Sequence, residues 1–480
     1  MRVVIGKGER YSGRKVTGTR TTPVATTVNA SCPTESSKPK WSILWQVILL
    51  NAPAAFFIYR GSLFLAALSF YSLLALLAGY HSIRHQFLHL NALIVGCIPM
   101  LMLLRPLFYH NSISVIFAGV LIAWSISHPR EIHHLLQDRV LLPLCVIGFL
   151  YWWASFIATG FYATNLRTFE LTLGACVVFL LARFRSYLTP ALWGIGASTI
   201  LIVAGLWRYG TERLGLAEVG RQPLGHPQQV GMAASLILIL SLADKGLWLW
   251  LQGSAWRYAT AASATALLLL STSRTSWLLA LTGPAVVLLM RGQRRYLIPA
   301  SLIVIVTVGG VLASSRGDII LKYVDKVISP NRTLSQKTSG RLEMYEAFPD
   351  LFLQSPVWGW GPGAGGTVYR NDSGQTMMLH SLFLHIGVEL GIIGLALLIV
   401  FYAAVLRRAW IHRRHTSEVV PLAGALCVCI DALAHNSFNP LTGVFLGLAL
   451  TDLSRCWVVR TVPSLPRRAG EMNEPCVLSS

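Results

Sequence analysis

The chain has 480 residues, 54% of them hydrophobic and only 12% charged, with a mean hydropathy of +0.56. Soluble domains carry about 25% charged residues, so a soluble globular protein is excluded. The 40 Lys and Arg against 20 Asp and Glu give a formal net charge of +20, but the basic residues fall between apolar runs, where membrane topology accounts for them without a nucleic-acid partner.

Residues 1–40 hold eight Lys and Arg, many Thr, Ser and Gly, and no apolar stretch able to form a signal-peptide core. This composition predicts a disordered basic tail. Apolar runs then come in close succession, at 41–59, 61–80, 90–104, 111–127, 140–160, 168–182, 190–207, 230–243, 258–273, 275–290, 296–313, 380–402, 417–434 and 440–453. Several fall short of the ~20 residues of a straight crossing, and a pair such as 258–273 and 275–290 reads as either a hairpin or one broken helix. The pattern predicts an all-α polytopic membrane protein of about 12–14 transmembrane helices. Helices 1–11 are expected over 41–313, one large loop with short helices over 314–379, helices 12–14 over 380–453 and a second tail over 454–480. The eight cysteines lie in apolar runs or in the tails, with no disulfide framework and no metal-ligand spacing.

With the N-terminal tail cytoplasmic and every run crossing, the short inner loops hold 14 Lys and Arg and the short outer loops seven. That bias favours this orientation, with the basic C-terminal tail an inner anchor to anionic lipid. It puts the 208–229 loop, the turn at Arg274, the 314–379 loop and the start of the run at His380 on one outer boundary. ATP and nucleotide sugars, kept inside, are then poor donor candidates.

The polar elements on that boundary come in order. Gly220-Arg221-Gln222-Pro223-Leu224-Gly225-His226-Pro227 has the composition of a rigid, turned loop around one Arg. Ser273-Arg274-Thr275 stands between two apolar runs; an Arg at that depth either serves a polar site or snorkels from a hairpin turn. An amphipathic stretch of about two turns opens at Arg341. Next comes Pro356-Val357-Trp358-Gly359-Trp360-Gly361-Pro362-Gly363-Ala364-Gly365-Gly366, with glycines that let backbone amides approach a ligand but no Walker A ending. Trp358 and Trp360 suit sugar stacking or anchoring at the bilayer surface. His380 then opens a helix in which His380, Leu384, Gly387 and Gly391 share a face, while His385 and Glu389 form an i,i+4 pair read as a buried structural hydrogen bond. His435-Asn436, on the last outer turn, reads as a capping or loop pair.

Taken in order, these elements resemble the O-antigen ligase and O-antigen polymerase superfamily of bacterial envelope glycosyltransferases. The likeness rests on Arg221 with Gly225 and Pro227; Ser273-Arg274-Thr275; Arg341; Pro356 with Gly359, Gly361 and Gly363; and His380, Ser381, Leu384, Glu389 and Gly391. Two positions depart from the family pattern: His226-Pro227-Gln228 stands where Asn-Pro-Asn is common, and Ser381 follows the His where the family often has Asn.

The resemblance implies a GT-C-like multi-pass protein of the bacterial inner membrane with its site facing the periplasm. It also implies a metal-independent, inverting transfer of a glycan from undecaprenyl diphosphate, with no cofactor, to a hydroxyl of lipid A-core in ligases or of a second lipid-linked glycan in O-antigen and exopolysaccharide polymerases. Arg221, Arg274 and Arg341 would then bind the diphosphate, since guanidinium forks match phosphate oxygens. His380 would take the acceptor proton, and Trp358, Gly359, Trp360, Gly361, Gly363 and Ser381 would position substrate. A transporter or flippase is the remaining class; it predicts mid-membrane charges in two corresponding halves, whereas the polar residues here gather at one boundary.

Overall fold

The computed structural model describes residues 40–108, 112–148, 167–210, 227–243, 255–271, 273–293, 298, 341–361, 364, 379–416, 418–435 and 440–451. All belong to the unit Glu35–Ser480; the other unit, Met1–Thr34, falls outside them. The described residues form helices and connections, with no strand among them. In chain order the helices are α1 Ser42–Tyr59, α2 Leu63–Ile83, α3 Phe87–Phe108, α4 Ser112–Ser127, α5 Pro129–Gln137, α6 Arg167–Leu181, α7 Arg185–Gly210, α8 Pro227–Ser241, α9 Ala255–Ser271, α10 Arg274–Met290, α11 Arg341–Gln354, α12 Leu382–Thr416, α13 Val420–Ala434 and α14 Pro440–Leu450, and residues 141–148 are helical as well. Segments Ser42–Tyr59, Leu63–Ile83, Phe87–Leu104, Ser186–Leu206 and Leu382–His415 are long and apolar enough to cross a membrane, and five shorter apolar helices accompany them. The protein is an all-α, multi-pass membrane protein. The expected run at 296–313 and both tails lie outside the described residues, apart from Ile298 and Lys40.

Lipid supplies no hydrophobic force between helices, so close packing depends on small residues that let backbones meet. Helix α7 lies against α1 and α3 in this way. A Cβ on Gly194 would stand 2.8 Å from Gly96 Cα, and one on Gly205 2.8 Å from the Ala55 carbonyl oxygen. Ser198 Oγ adds a hydrogen bond to the Gly96 carbonyl at 2.7 Å. Helix α14 meets α6 likewise, since a Cβ on Gly447 would lie 2.8 Å from the Ala175 carbonyl oxygen.

Helices α9 and α10 both pack on α8. Near their turn, a Cβ on Gly231 of α8 would touch both Ser271 Oγ and Ser276 Oγ. At the far end, Arg257 donates to the Ser241 carbonyl and Arg291 Nη1 to the Leu242 carbonyl at 2.7 Å. The pair is therefore a hairpin astride α8, not one broken helix. Arg291 Nη2 also reaches Glu418 Oε1 at 3.4 Å, and Glu418 accepts the amides of Val419 and Val420. Arg413 Nη2 donates to the Met290 carbonyl at 3.2 Å. One end of the bundle is thus tied by Arg and Glu side chains where α8, α10, α12 and α13 converge, and the helix starts at Arg274, Arg341 and Leu382 stand at the other.

The broken helix is α12. At Gly391 (φ 63°, ψ −158°) the backbone leaves the helical region. A Cβ on Gly394 would stand 3.2 Å from Ile386 Cγ2, and one on Gly387 3.6 Å from Leu395 Cδ2. Positions eight apart in a straight helix are separated by about 12 Å. The first nine residues of α12, Leu382–Leu390, are therefore a half-helix bent back onto the turn that begins at Ile392.

Candidate active site

Arg341, the first residue of α11, occupies the centre of the candidate site. Its Nη1 lies 3.4 Å from Thr275 Oγ1, at the second residue of α10, and its Nη2 lies 2.8 Å from His435 Nε2, just past α13. His435 Nδ1 is 2.7 Å from Asp431 Oδ1, one turn earlier on α13. Both are buried, at 2% and 3% exposure, inside a run whose other residues are almost all apolar. The His435 carbonyl accepts the amide of Leu382 at 3.1 Å, the first residue of α12. Ser381 Oγ donates to the Ala432 carbonyl at 3.4 Å, and Tyr345 of α11 donates its hydroxyl to the Leu433 carbonyl.

These bonds join the starts of α10, α11 and α12 to the end of α13. Arg274 begins α10, Arg341 begins α11, and His380, half-buried between buried Leu379 and Ser381, sits two residues before α12. The starts of three helices are thus linked through Thr275, Arg341 and His435, and each such end carries a partial positive charge of roughly +0.5. Helix α8 begins at the same end, four residues before Gly231. Arg221 and Gly363 lie outside the described residues.

Helix α11 sits on the half-helix through a small core of its own. Met344, Leu379, Leu384 and Val388 are buried together, with Ala347, Phe348 and Leu351 against them. Phe348 covers Gly387, where a Cβ would stand 3.1 Å from its ring. The face carrying Leu384 and Gly387 is therefore covered by α11, and Gly391, placed on that face by helical spacing, breaks the helix instead.

The glycine run closes on that break. In a continuous helix the Ile392 amide would bond to the Val388 carbonyl. Here Ile392 donates to the Pro356 carbonyl at 2.8 Å, while the Val388 carbonyl accepts from Trp360 at 2.8 Å and the Glu389 carbonyl from Gly361 at 3.0 Å. Gly359, at φ 71°, lies so close that a Cβ would be 2.4 Å from the Glu389 carbonyl carbon. The amides of Gly359, Trp360 and Gly361 are thus engaged with carbonyls of this chain. Trp360 donates its Nε1 hydrogen to the Leu351 carbonyl at 2.9 Å, and Trp358 is 77% exposed. His385 Nε2 and Glu389 Oε1, 3.1 Å apart, are buried in the half-helix.

Sequence reasoning did not assign Asp431 a role and read His435 as a cap. The signal was present: an acidic residue near the end of an apolar run with a His four positions on is a pair on one helix face, and ionisable residues in such runs are functional candidates.

Residues 259–399, which hold Arg274, Arg341, the glycine run and His380, match the family model described as O-antigen ligase. Over that segment the chain is similar to the O-antigen ligases. No curated protein matches the chain.

Proposed function

We propose that the protein is an O-antigen ligase-like glycosyltransferase of the bacterial inner membrane. It moves a glycan from undecaprenyl diphosphate to a hydroxyl of lipid A-core at the periplasmic face. The observation that supports this best is that Arg341, at the start of α11, contacts Thr275 at the start of α10 and His435, whose carbonyl holds the start of α12 just after His380; these three helix starts lie within the family-matched segment.

In this reading His380 accepts the proton of the acceptor hydroxyl as its oxygen attacks the anomeric carbon from the face opposite the diphosphate. The carbon–oxygen bond to the diphosphate breaks with inversion, and undecaprenyl diphosphate leaves with the bonding electrons. Arg221, Arg274 and Arg341, with the helix N-termini, stabilise that negative charge in place of a divalent cation. The half-helix fixes His380 relative to Arg341, while Ser381, Gly359, Gly361, Gly363, Trp358 and Trp360 shape the neighbouring surface. The apolar helices hold the polyprenyl tail.

The test is a reconstituted transfer assay with undecaprenyl-diphosphate glycan, offered lipid A-core or only more donor, with EDTA in a parallel arm. A single product that needs lipid A-core is expected. A ladder growing without lipid A-core would make the protein a polymerase, and loss of product in EDTA reversed by Mg²⁺ would reject the cation-free scheme. His380→Ala is expected to abolish product while the protein still inserts; full transfer by that variant would remove His380 from the chemistry.

A further inference from the structure

We propose that His435, held in one tautomer by Asp431, is a positioning residue that aims the Arg341 guanidinium at the donor diphosphate; this rests on the diphosphate-binding role given to Arg341 above. Arginine has donors and no acceptor, so the contact between Arg341 Nη2 and His435 Nε2 requires a lone pair on Nε2. The ring hydrogen then resides on Nδ1, which faces Asp431 Oδ1 at 2.7 Å. Donation runs one way along the chain, from Arg341 to His435 and from His435 to Asp431.

A merely structural reading of the pair fits poorly. A carboxylate 3% exposed in an apolar helix is costly to bury, and an apolar side chain of similar size would pack there at lower cost. What the pair provides instead is direction. Arg341 has a long side chain with about 2 kcal/mol of rotamer entropy. It is held here from two elements, by Thr275 on α10 and His435 beyond α13. The backbone of His435 meanwhile bonds Asp431 and Leu382. One residue therefore sets both the guanidinium and the segment that carries His380.

The test measures binding of inorganic diphosphate and of undecaprenyl diphosphate to the purified full chain in nanodiscs, beside melting temperature. His435→Ala is expected to weaken both by about tenfold, the loss of one charge-assisted hydrogen bond. His435→Gln, whose Oε1 can accept from Arg341, is expected to recover most of that. Asp431→Asn can donate to Nδ1 and so place the hydrogen on Nε2, against the guanidinium; weaker binding at an unchanged melting temperature is expected. In an Arg341→Ala background, His435→Ala should weaken binding no further.

Unaltered binding by Asp431→Asn and His435→Ala, at whatever melting temperature, would mean a structural pair only and overturn the proposal. So would a further loss of binding from His435→Ala in the Arg341→Ala background. Asp431→Asn carries the test if His435→Ala fails to fold. Absence of diphosphate binding by the unaltered protein would instead overturn the role of Arg341 itself, and this inference with it.

Discussion

At the scale of single residues, the site depends on backbone as much as on side chains. Gly391 occupies a region of φ and ψ open in practice only to glycine, where another residue costs about 1–3 kcal/mol. A Cβ there would also stand 2.3 Å from the Val357 carbonyl oxygen. Gly391→Ala is expected to loosen the clamp between the glycine run and the half-helix, displacing His380 from Arg341. Glycan transfer should fall by about tenfold or more, as a loss of near 1.4 kcal/mol at the transition state requires, while the protein still inserts. An unchanged rate in the transfer assay would show that the break does not position the chemistry. The residue types were readable in sequence: Arg341, His380 and the glycines all stood out by composition. The partners of Trp360 and Gly361 were not, because their amides bond to the carbonyls of Val388 and Glu389 beside a helix break some 30 residues on, and no local pattern encodes a docking of backbone on backbone.

At the scale of elements, apolar periodicity marked most helices, because lipid allows only segments that satisfy their own backbone. The runs at 275–290 and 440–453 correspond to Arg274–Met290 and Pro440–Leu450. It failed where length alone was informative. The run at 380–402 belongs to a helix reaching Thr416, since Arg407, Arg408, Arg413 and Arg414 are good helix formers that ended the apolar count without ending the helix. The stretch after Gly340 extends over 14 residues where about two turns were read, its apolar side facing the half-helix and not lipid. Residues 129–137, read as loop, form the short amphipathic helix α5. Arg291 illustrates how elements are held apart from the site. It joins α8 and α13 at the end of α10, with side-chain exposures of 10% for Arg291 and 7% for Glu418. Removing one partner of such a pair costs about 3–5 kcal/mol because the other is left buried and charged. Arg291→Ala should lower the melting temperature of the purified protein by several degrees and leave the donor KM of the surviving fraction unchanged. A raised KM with an unchanged melting temperature would instead make this end part of the substrate path.

At the scale of the whole molecule, the two ends of the bundle carry different chemistry. At one, Arg341 and His435 adjoin the starts of α10, α11 and α12, an arrangement that attracts anions. At the other, Arg291, Arg413 and Arg257 bond carbonyls and Glu418 to tie helices together. The excess of Lys and Arg in the short loops of that second end argues that it is cytoplasmic, because translocation disfavours such loops. A substrate carried on a polyprenyl lipid would then meet the first end from the outer leaflet, and the reaction could draw only on the diphosphate bond for its free energy. Two exposed positions test this orientation: Trp358, 77% exposed in the glycine run, and Arg414, exposed near the end of α12. In a background with Cys32, Cys456 and Cys476 replaced by Ser, Trp358→Cys should react with a membrane-impermeant maleimide in cells whose inner membrane is intact. Arg414→Cys should react only after that membrane is opened. The reverse pattern would put the histidine and arginines on the nucleotide-rich side, where lipid A-core presented on the outer leaflet could not reach them.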